Sequence, residues 1–575
     1  MISQRRNKKE ILSKRANAFF LDSGLVVLSS VLFAASFPNP IFINGIPFLA
    51  WFALVPVLTV VNKHSLPVCV LWGAFFGFTS YLLFNYWLSS FHPLAGIITY
   101  GVYSIFLAVV FLFLKLACVF FPKRFYLVQW LIWLSYEYLC TLGFMGYPYG
   151  IIGYTQWQMI PLIQIASITG IWGVSALVTF PSFYIAGMIQ KEFTRRHGGT
   201  ENTEEERKTF AWFVRFTVKK TDKIPALIWL TVLIASIVFG FINMKDYSGY
   251  PSTRIALIQH NTDPWEASKA PLDWQKAEAY RKDLTALKRL SDEALASNPK
   301  PQMVVWPETA IIPRIHWHYT YREIESQGMT SIIRELMDYL ASKDAPFLVG
   351  NDDAHKEPAK NPDENEKFRV DYNAALLFEN GKNTESYRKL RLVPFTEHFP
   401  YKKQFPFIYN WLEKADTHFW EKGENETVFK GPGFTFSAPI CFEDCFGYLS
   451  RKFALKGAQV LVNLSNDAWS NSLTAQYQHL SMAVFRAVEN NRPMVRSTSS
   501  GQTCAIDPNG RIIAMADPFK ETYLNVTIPL VSSTHTIYTT YGDYFGAGVV
   551  ILALTLLIIK ALWCTMRKLK SRGMQ

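Results

Sequence analysis

The chain has 575 residues, too many for one ordinary domain, and half of them are hydrophobic. Its formal net charge is +12, which in isolation suggests a nucleic-acid partner. Most of the excess basic residues flank apolar segments, however, so membrane topology accounts for this charge better than nucleic acid does. Apolar residues are concentrated in 1–245 and 541–575, whereas 250–535 has the mixed composition of a soluble domain.

Several apolar segments are candidates for crossing a bilayer, which takes about 20 mostly apolar residues, although the fifth is short. In chain order, these segments are 22–38, 47–63, 66–89, 95–121, 126–141, 160–190, 225–244 and 543–566. The first is not a plausible cleaved signal peptide, because it has no small-residue cleavage site and further spans follow. The sequence therefore predicts a multi-pass α-helical membrane protein with about eight transmembrane helices.

Loop charges predict how these spans are oriented. Lysines and arginines crowd the N-terminus, the loop after 160–190 and the C-terminal tail. The alternate loops at 39–46, 90–94 and 142–159 contain neither residue. Because cytoplasmic loops carry the excess of Lys and Arg, both termini are expected in the cytoplasm and 250–535 on the opposite side.

The exported region alternates strand-like and helical stretches, as in an α/β layered domain with one core. The predicted strands are 254–258, 303–306, 346–350, 374–378, 384–390, 434–440, 458–464, 494–499, 502–506 and 511–514, and the predicted helices are 273–297, 329–342 and 474–489. We expect three units: a transmembrane domain at 1–246, the exported domain at 247–538, and a final helix with a basic tail at 539–575.

A cysteine in the exported region follows one of the predicted strands. Cys441 precedes Phe442, Glu443 and Asp444, so its thiol is predicted at a sharp strand-to-helix turn. A thiol that attacks a carbonyl must become a thiolate, which requires a base or positive surroundings. Considered alone, such a cysteine is more often a buried structural residue.

Charged side chains follow two other predicted strands. Glu308 comes directly after Trp306 and Pro307, where burial would raise its pKa towards the range of a general base. Lys389 lies among other basic residues, and its ammonium could stabilise an oxyanion. Glu397 and Glu443 could orient Lys389 or the substrate. Each residue also has an ordinary structural interpretation, as a cap, a solvated strand face or a salt-bridge network.

Taken together, the Glu–Lys–Cys order resembles the nitrilase superfamily. Three longer stretches, together with a loop at 143–154, are similar to the apolipoprotein N-acyltransferase family over nearly the whole chain: 389–400, 463–469 and 486–493. The resemblance implies an exported nitrilase-type αββα sandwich on a membrane anchor in the bacterial inner membrane, with the catalytic domain in the periplasm. It implies no cofactor.

The family resemblance also implies a two-step reaction. Cys441 would take an acyl chain from a membrane phospholipid as a thioester, with Glu308 as the base and Lys389 as the oxyanion stabiliser. The amine of an S-diacylglyceryl cysteine at the N-terminus of an apolipoprotein would then accept the chain, which gives ping-pong kinetics. The partners implied are a phospholipid, a diacylated apolipoprotein and the bilayer.

Two features depart from the family pattern or leave it open. Phe442 occupies a position where the family often has tyrosine. The tryptophan that contacts substrate early in the domain has two candidates, of which Trp265 is favoured over Trp274.

Segment 399–420 carries many aromatic residues among lysines and is predicted either as a lid on the bilayer surface or as a loop packed in the core.

Other functions compete with acyl transfer. A membrane-anchored amidase acting on a small amide would use the same three catalytic groups, but it would not need so many spans. A non-catalytic transporter or receptor with a nitrilase-like domain is disfavoured by the intact Glu308, Lys389 and Cys441. A zinc site at Cys441 and Cys445 is not expected, because no matching His or Cys pair follows.

Overall fold

We describe the protein from a computed structural model, in which the described residues are 2–91, 93–197, 220–262, 273–321, 327–356, 369–414, 419–532 and 535–572. The part before residues 250–535, which we call the exported region after its predicted location, is helical. Its helices are α1 (Ile2–Ser36), α2 (Val55–Lys63), α3 (Leu66–Phe84), α4 (Leu88–Phe91), α5 (Pro93–Phe120), α6 (Phe125–Leu139), α7 (Ile160–Ile163), α8 (Ala166–Thr169), α9 (Ile171–His197) and α10 (Lys220–Asn243).

The predicted apolar segments are helical, and the multi-pass fold class is confirmed. Within the described ranges, six helical segments are long and apolar enough to span a membrane: Ala16–Ser36, Leu66–Phe84, Ala95–Phe120, Ile171–Phe193, Lys223–Asn243 and Tyr544–Arg567. The predicted segments 47–63 and 126–141 form shorter helices. The segment 160–190 is not one helix, because Gly170 adopts a φ of +65° and separates α8 from α9.

Helices α3 and α5 pack closely against each other. A Cβ atom at Gly73 would lie 2.5 Å from the carbonyl oxygen of Leu107, which leaves no room for a side chain. Small residues allow membrane helices to approach in this way. The contact fixes α5, whose N-terminal half lines the cavity described below.

The exported region contains two six-stranded sheets. The strands are β1 (Ser252–Gln259), β2 (Met303–Val305), β3 (Phe347–His355), β4 (Val370–Glu379), β5 (Lys382–Arg388), β6 (Phe429–Lys430), β7 (Thr435–Ser437), β8 (Val460–Ser465), β9 (Met494–Thr498), β10 (Cys504–Ile506), β11 (Ile512–Met515) and β12 (Thr522–Pro529). The strand orders are β12-β1-β2-β3-β4-β5 and β11-β10-β9-β8-β7-β6. Strands β1, β2 and β3 are parallel, as are β7, β8 and β9, and the outer pairs are antiparallel.

The remaining helices of the exported region cover the sheets or connect them to the membrane. They are α11 (Asp273–Leu295), α12 (Ile315–Thr320), α13 (Gln327–Ala341), α14 (Pro406–Lys414), α15 (Gly447–Leu455), α16 (Leu473–Asn490), α17 (Ile537–Tyr541) and α18 (Tyr544–Arg572). Alternate residues of each strand face opposite sides. Ala256 and Ile258 pack with Leu287 of α11, whereas Ile255 and Leu257 belong to the core shared with the second sheet. This layering is the predicted αββα sandwich.

Helix α16 lies between the second sheet and the membrane helices. Its residues are buried almost throughout, including polar side chains such as Gln478. Gln478 accepts a hydrogen bond from Trp87 Nε1 at 2.9 Å and donates to the carbonyl oxygens of Pro38 and Phe84 at 3.0 and 3.2 Å. The exported region is therefore anchored to the membrane helices through buried polar contacts.

Several elements were absent from the sequence prediction. Strand β12 pairs with β1 along its whole length, and α15 covers the second sheet next to α16. Where it is described, segment 399–420 is packed in part, as one of the two predicted alternatives requires, and its role as a lid on the bilayer surface stays a prediction. Phe399, Tyr409 and Leu412 are buried in a cluster with Phe144, whereas Phe407 remains 69% exposed.

Candidate active site

Cys441 begins a tight turn that follows β7. The turn is a 3-10 helix at Cys441–Cys445, and Cys441 adopts a φ of +49°. This left-handed conformation is unfavourable for a residue with a side chain and recurs at functional sites. Thr309 and Phe395, which line the same cavity as Cys441, also have positive φ angles of 46° and 65°. The turn presents the thiol towards the cavity as the sequence predicted.

Glu308 follows β2 and is held by three donors. Lys389 Nζ donates to Oε1 at 3.1 Å, and Asn373 Nδ2 donates to the same oxygen at 2.8 Å. The backbone N–H of Asn466 donates to Oε2 at 3.0 Å. Because Glu308 is only 6% exposed, these bonds fix one orientation of the carboxylate beside Cys441 in the cavity.

Lys389 follows β5 and is completely buried. Its ammonium donates to Glu308 at 3.1 Å and to Glu397 Oε1 at 2.8 Å. Burial alone would lower the pKa of Lys389, but these two carboxylates outweigh it and raise the pKa above its ordinary value. The group therefore remains a cation at neutral pH.

The Cys441 thiol is neutral in this environment. Burial raises its pKa, and the Glu308 carboxylate raises it further, whereas Lys389 and His479 act in the opposite direction. A thiol of this kind needs a base that takes its proton during the reaction. Burial likewise raises the pKa of Glu397, against the effect of Lys389.

Glu443 does not contact Lys389 through a hydrogen bond in the described structure. Instead its carboxylate accepts bonds from the backbone N–H groups of Leu390, Arg391 and Ile440 at 2.7, 2.9 and 2.7 Å. The Tyr387 hydroxyl also donates to it at 2.8 Å. Glu443 is fully buried, and burial raises its pKa to about 7. It therefore connects the segment of Lys389 with the turn of Cys441.

A cavity of about 520 Å³ joins these groups to the membrane helices. Glu308, Glu397, Cys441 and Phe442 line one part of it. The other part is lined by residues of α5: Ala95, Ile98, Thr99, Val102 and Tyr103. Ile98 lines the cavity and is also 41% exposed on the surface of the protein. An apolar path therefore leads from the thiol to the face of α5 that would contact lipid.

The aromatic residues predicted for the site fall in different places. Phe442 lines the cavity and lies 6.3 Å from the ring of Tyr147, in the loop between membrane helices. Trp274 is 62% exposed on α11 and is not among the described residues that line the cavity. Trp265 lies outside the described residues. Trp420 and Trp469, which the sequence prediction did not select, do line it.

Sequence reasoning also missed two asparagines and a histidine. Asn373, Asn466 and His479 all line the cavity, and the first two bond to Glu308. Asn373 lies in the middle of β4, between apolar residues, and an amide inside a buried strand was a usable signal. His479 had no comparable signal, because α16 reads as an ordinary amphipathic helix.

Asp444, Cys445 and His479 place potential metal-ligand atoms within 4.8 Å of one another. Arg496 Nη1 donates to Asp444, and His479 Nε2 lies 2.6 Å from the other oxygen of that carboxylate. With a guanidinium on the same carboxylate, the group has the form of a buried ion-pair cluster rather than of a cation site.

Comparison with known proteins identifies relatives for both parts of the chain. Residues 254–538 match the sequence model of the carbon-nitrogen hydrolases, and 29–184 match that of the apolipoprotein N-acyltransferase N-terminal domain. The chain is 44% identical to apolipoprotein N-acyltransferase 1 of Treponema denticola, over 92% of this chain and 94% of the relative. It is 44% identical to the protein of the same name in Treponema pallidum, over 93% and 94%.

Solved structures match about half of the chain. Nit3 of Saccharomyces cerevisiae shares 18% identity with the chain and covers 50% of it, with a TM-score of 0.33. The match extends over 93% of Nit3.

Proposed function

The chain belongs to the apolipoprotein N-acyltransferase family, and on that premise we propose that Cys441 carries the acyl group as a thioester, with Glu308 and Lys389 as its catalytic partners. The activity is N-acylation of apolipoproteins in a bacterial membrane. The observation that carries the proposal is the cavity that extends from Cys441 to the exposed face of α5. It joins a nucleophile to an apolar path suited to a fatty acyl chain.

In the first step, Glu308 removes the thiol proton as sulfur attacks an ester carbonyl of a phospholipid. A C–S bond forms, the ester C–O bond breaks, and the lysophospholipid oxygen leaves with the proton held by Glu308. Lys389, which bonds to Glu308 and Glu397, supplies the positive charge for the tetrahedral oxyanion. Its burial strengthens this interaction, because little water screens it.

In the second step, the N-terminal amine of a diacylated apolipoprotein attacks the thioester. A C–N bond forms and the C–S bond breaks, while Glu308 accepts a proton from the amine and the Cys441 thiolate is reprotonated. Phospholipid and diacylated apolipoprotein are therefore the two partners of one site. No metal or cofactor enters either step.

We also propose the arrangement of the chain in the membrane. Both termini lie in the cytoplasm, the catalytic domain at 247–538 lies in the periplasm, and 1–246 and 539–575 anchor it. Loop charges support this orientation, since the loops on the side of the catalytic domain lack Lys and Arg. The match to carbon-nitrogen hydrolases at 254–538 supports the bounds proposed for the catalytic domain.

Intact-mass analysis of the purified protein tests the thioester. Phospholipid alone should add one hydroxylamine-sensitive acyl group to the wild type and none to Cys441→Ala. A diacylated lipopeptide with a free N-terminus should then remove the adduct, whereas its N-acetylated form should not. If lipopeptide is acylated while no adduct forms with donor alone, even after rapid quenching, transfer is direct and the thioester proposal is wrong.

An amidase acting on small amides is the second candidate, and the shape of the cavity disfavours it. A small amide would occupy only the part between Glu308 and Cys441 and would leave the α5 part empty. With the same preparation, the rate of ammonia release from short-chain amides should therefore be much lower than the rate of acyl transfer from phospholipid.

A further inference from the structure

His479 lies on α16 and lines the cavity that contains Cys441, yet the two-step mechanism assigns it no role. The side chain is 4% exposed. It stands where three segments of the active site meet: the turn that begins with Cys441, the loop after β8, and strand β9. Each segment contributes one charged side chain to the imidazole.

Both ring nitrogens of His479 face carboxylates. Nε2 lies 2.6 Å from Asp444 Oδ1, and Nδ1 lies 3.2 Å from Asp467 Oδ1. Arg496 donates to Asp444, and its Nη2 lies 3.4 Å from Asp467 Oδ2 and 3.3 Å from His479 Nδ1. Only the protonated ring can donate to both carboxylates at once, and in that state Arg496 Nη2 donates to Asp467 rather than to Nδ1.

The charges of this cluster balance only when the ring is protonated. Asp444 and Asp467 contribute two negative charges, and Arg496 contributes one positive charge. A neutral His479 would leave one negative charge uncompensated in a buried site, which is costly. Burial and the Arg496 guanidinium lower the pKa of His479, but Asp444 above all, together with Cys445 and Asp467, outweighs them and raises the pKa.

The cluster touches both sides of the reaction centre. Asp444 belongs to the same turn as Cys441. Asp467 directly follows Asn466, whose N–H group holds Glu308. Because the His479 ring binds both aspartates, it fixes the turn that begins with Cys441 relative to the segment whose N–H group holds Glu308.

We propose that His479, protonated and held between Asp444 and Asp467, is a positioning residue for the acyl transfer that also supplies a second positive charge near the Cys441 thiol. The inference rests on the proposed role of Cys441 as the nucleophile. Lys389 and His479 then lower the cost of forming the thiolate, and Glu308 receives the proton. Since the folded pKa of His479 is raised, the ring keeps this charge until pH rises through the folded pKa.

The test measures the thiol rather than the overall reaction. The full-length protein in detergent is alkylated with iodoacetamide over a series of pH values, and peptide mass spectrometry follows modification at Cys441. His479→Gln keeps a polar side chain but removes the charge. Its alkylation midpoint should move to higher pH by about one pH unit, or about tenfold in rate at a fixed pH below both midpoints. The KM for phospholipid should remain unchanged.

His260→Gln is the matched control. This histidine is also buried, at 3% exposure, and burial lowers its pKa to about 4, so it carries no charge at neutral pH. Its substitution removes a buried imidazole without removing a cation, and the Cys441 midpoint should equal that of the wild type. His479→Asn serves the same comparison should His479→Gln fail to fold, as judged by thermal melting.

Two results would overturn the inference. One is a His479→Gln midpoint equal to that of the wild type, and the other is an equal shift in His260→Gln. Failure of the proposed function would give a different result from failure of this inference. A wild-type protein that gains no acyl group from phospholipid, but whose alkylation midpoint depends on His479, refutes the thioester while supporting the placement of the charge.

Discussion

The Tyr387 hydroxyl donates a hydrogen bond of 2.8 Å to the Glu443 carboxylate in the interior of the exported region. Tyr387 lies two residues before Lys389, and Glu443 lies two residues after Cys441. Because Glu443 also accepts the backbone N–H groups of Leu390 and Ile440, one carboxylate joins both loops. The distance between ammonium and thiol therefore depends on a residue that touches neither.

This relationship predicts a cost for replacing Glu443 with glutamine. In any orientation, an amide NH₂ group would face at least one of the backbone donors. We expect Glu443→Gln to lower the free energy of unfolding by about 1.5–3 kcal/mol and to slow acylation of Cys441. Chemical denaturation and intact-mass kinetics measure the two effects. Glu426→Gln, which weakens only ion pairs with exposed lysines, should cost less than about 1 kcal/mol. Equal losses in both variants would contradict the prediction.

Cys441→Ala and Cys441→Ser should abolish acyl transfer without unfolding the protein, because neither side chain supplies a thiolate. Cys445→Ala and Cys504→Ala should keep most of the activity, since both thiols are buried away from the cavity lining. Lipopeptide acylation and thermal melting check the two statements. Substantial turnover by Cys441→Ala would rule out covalent catalysis.

Glu308→Gln should lose thioester formation, because an amide cannot accept the thiol proton. Lys389→Ala should reduce the rate by about 10²-fold or more, as expected when an oxyanion stabiliser is removed. Lys382→Ala provides the control, because this lysine is exposed on the same strand that precedes Lys389. Single-turnover acylation measures all three, and near-normal rates for either catalytic variant would exclude its assigned role.

Helix α5 should control which acyl chains fit. Val102→Trp would fill part of the cavity, so transfer from long-chain phospholipids should fall about tenfold or more while short-chain donors are less affected. Ile105→Trp introduces the same side chain on the same helix, but Ile105 is 65% exposed and is not among the described residues that line the cavity. Competition between donors of two lengths provides the measurement. Identical selectivity in both variants would exclude α5 as the acyl path.

The orientation in the membrane predicts the behaviour of a reporter. A fusion after Ser252 should be active only with a reporter that requires export, because the catalytic domain is expected in the periplasm. A fusion after His197, the last residue of α9, should behave in the opposite way. Cytoplasmic activity of the Ser252 fusion would reverse the proposed topology.

The sequence by itself determined the local features of this protein. Hydropathy located the membrane helices, because a bilayer requires long apolar runs whatever else they contact. Alternation and turn residues located most strands of the exported region, and strand ends marked Glu308, Lys389 and Cys441 as candidates. It missed β12 and α15, whose positions depend on distant partners.

Only the tertiary structure decided how these groups meet. Asn373 and Asn466 reach Glu308 because the two sheets pack against each other, which brings β4 of the first sheet and the end of β8 of the second to the same place. Glu443 was expected to orient Lys389 or the substrate, and packing directs its carboxylate to the backbone N–H groups of Leu390, Arg391 and Ile440. The charged neighbours of His479 likewise come from segments that are separate in sequence and meet only in the folded protein. The physical reason is that periodicity reports on near neighbours along the chain, whereas a buried charge is defined by partners that lie tens of residues away in sequence.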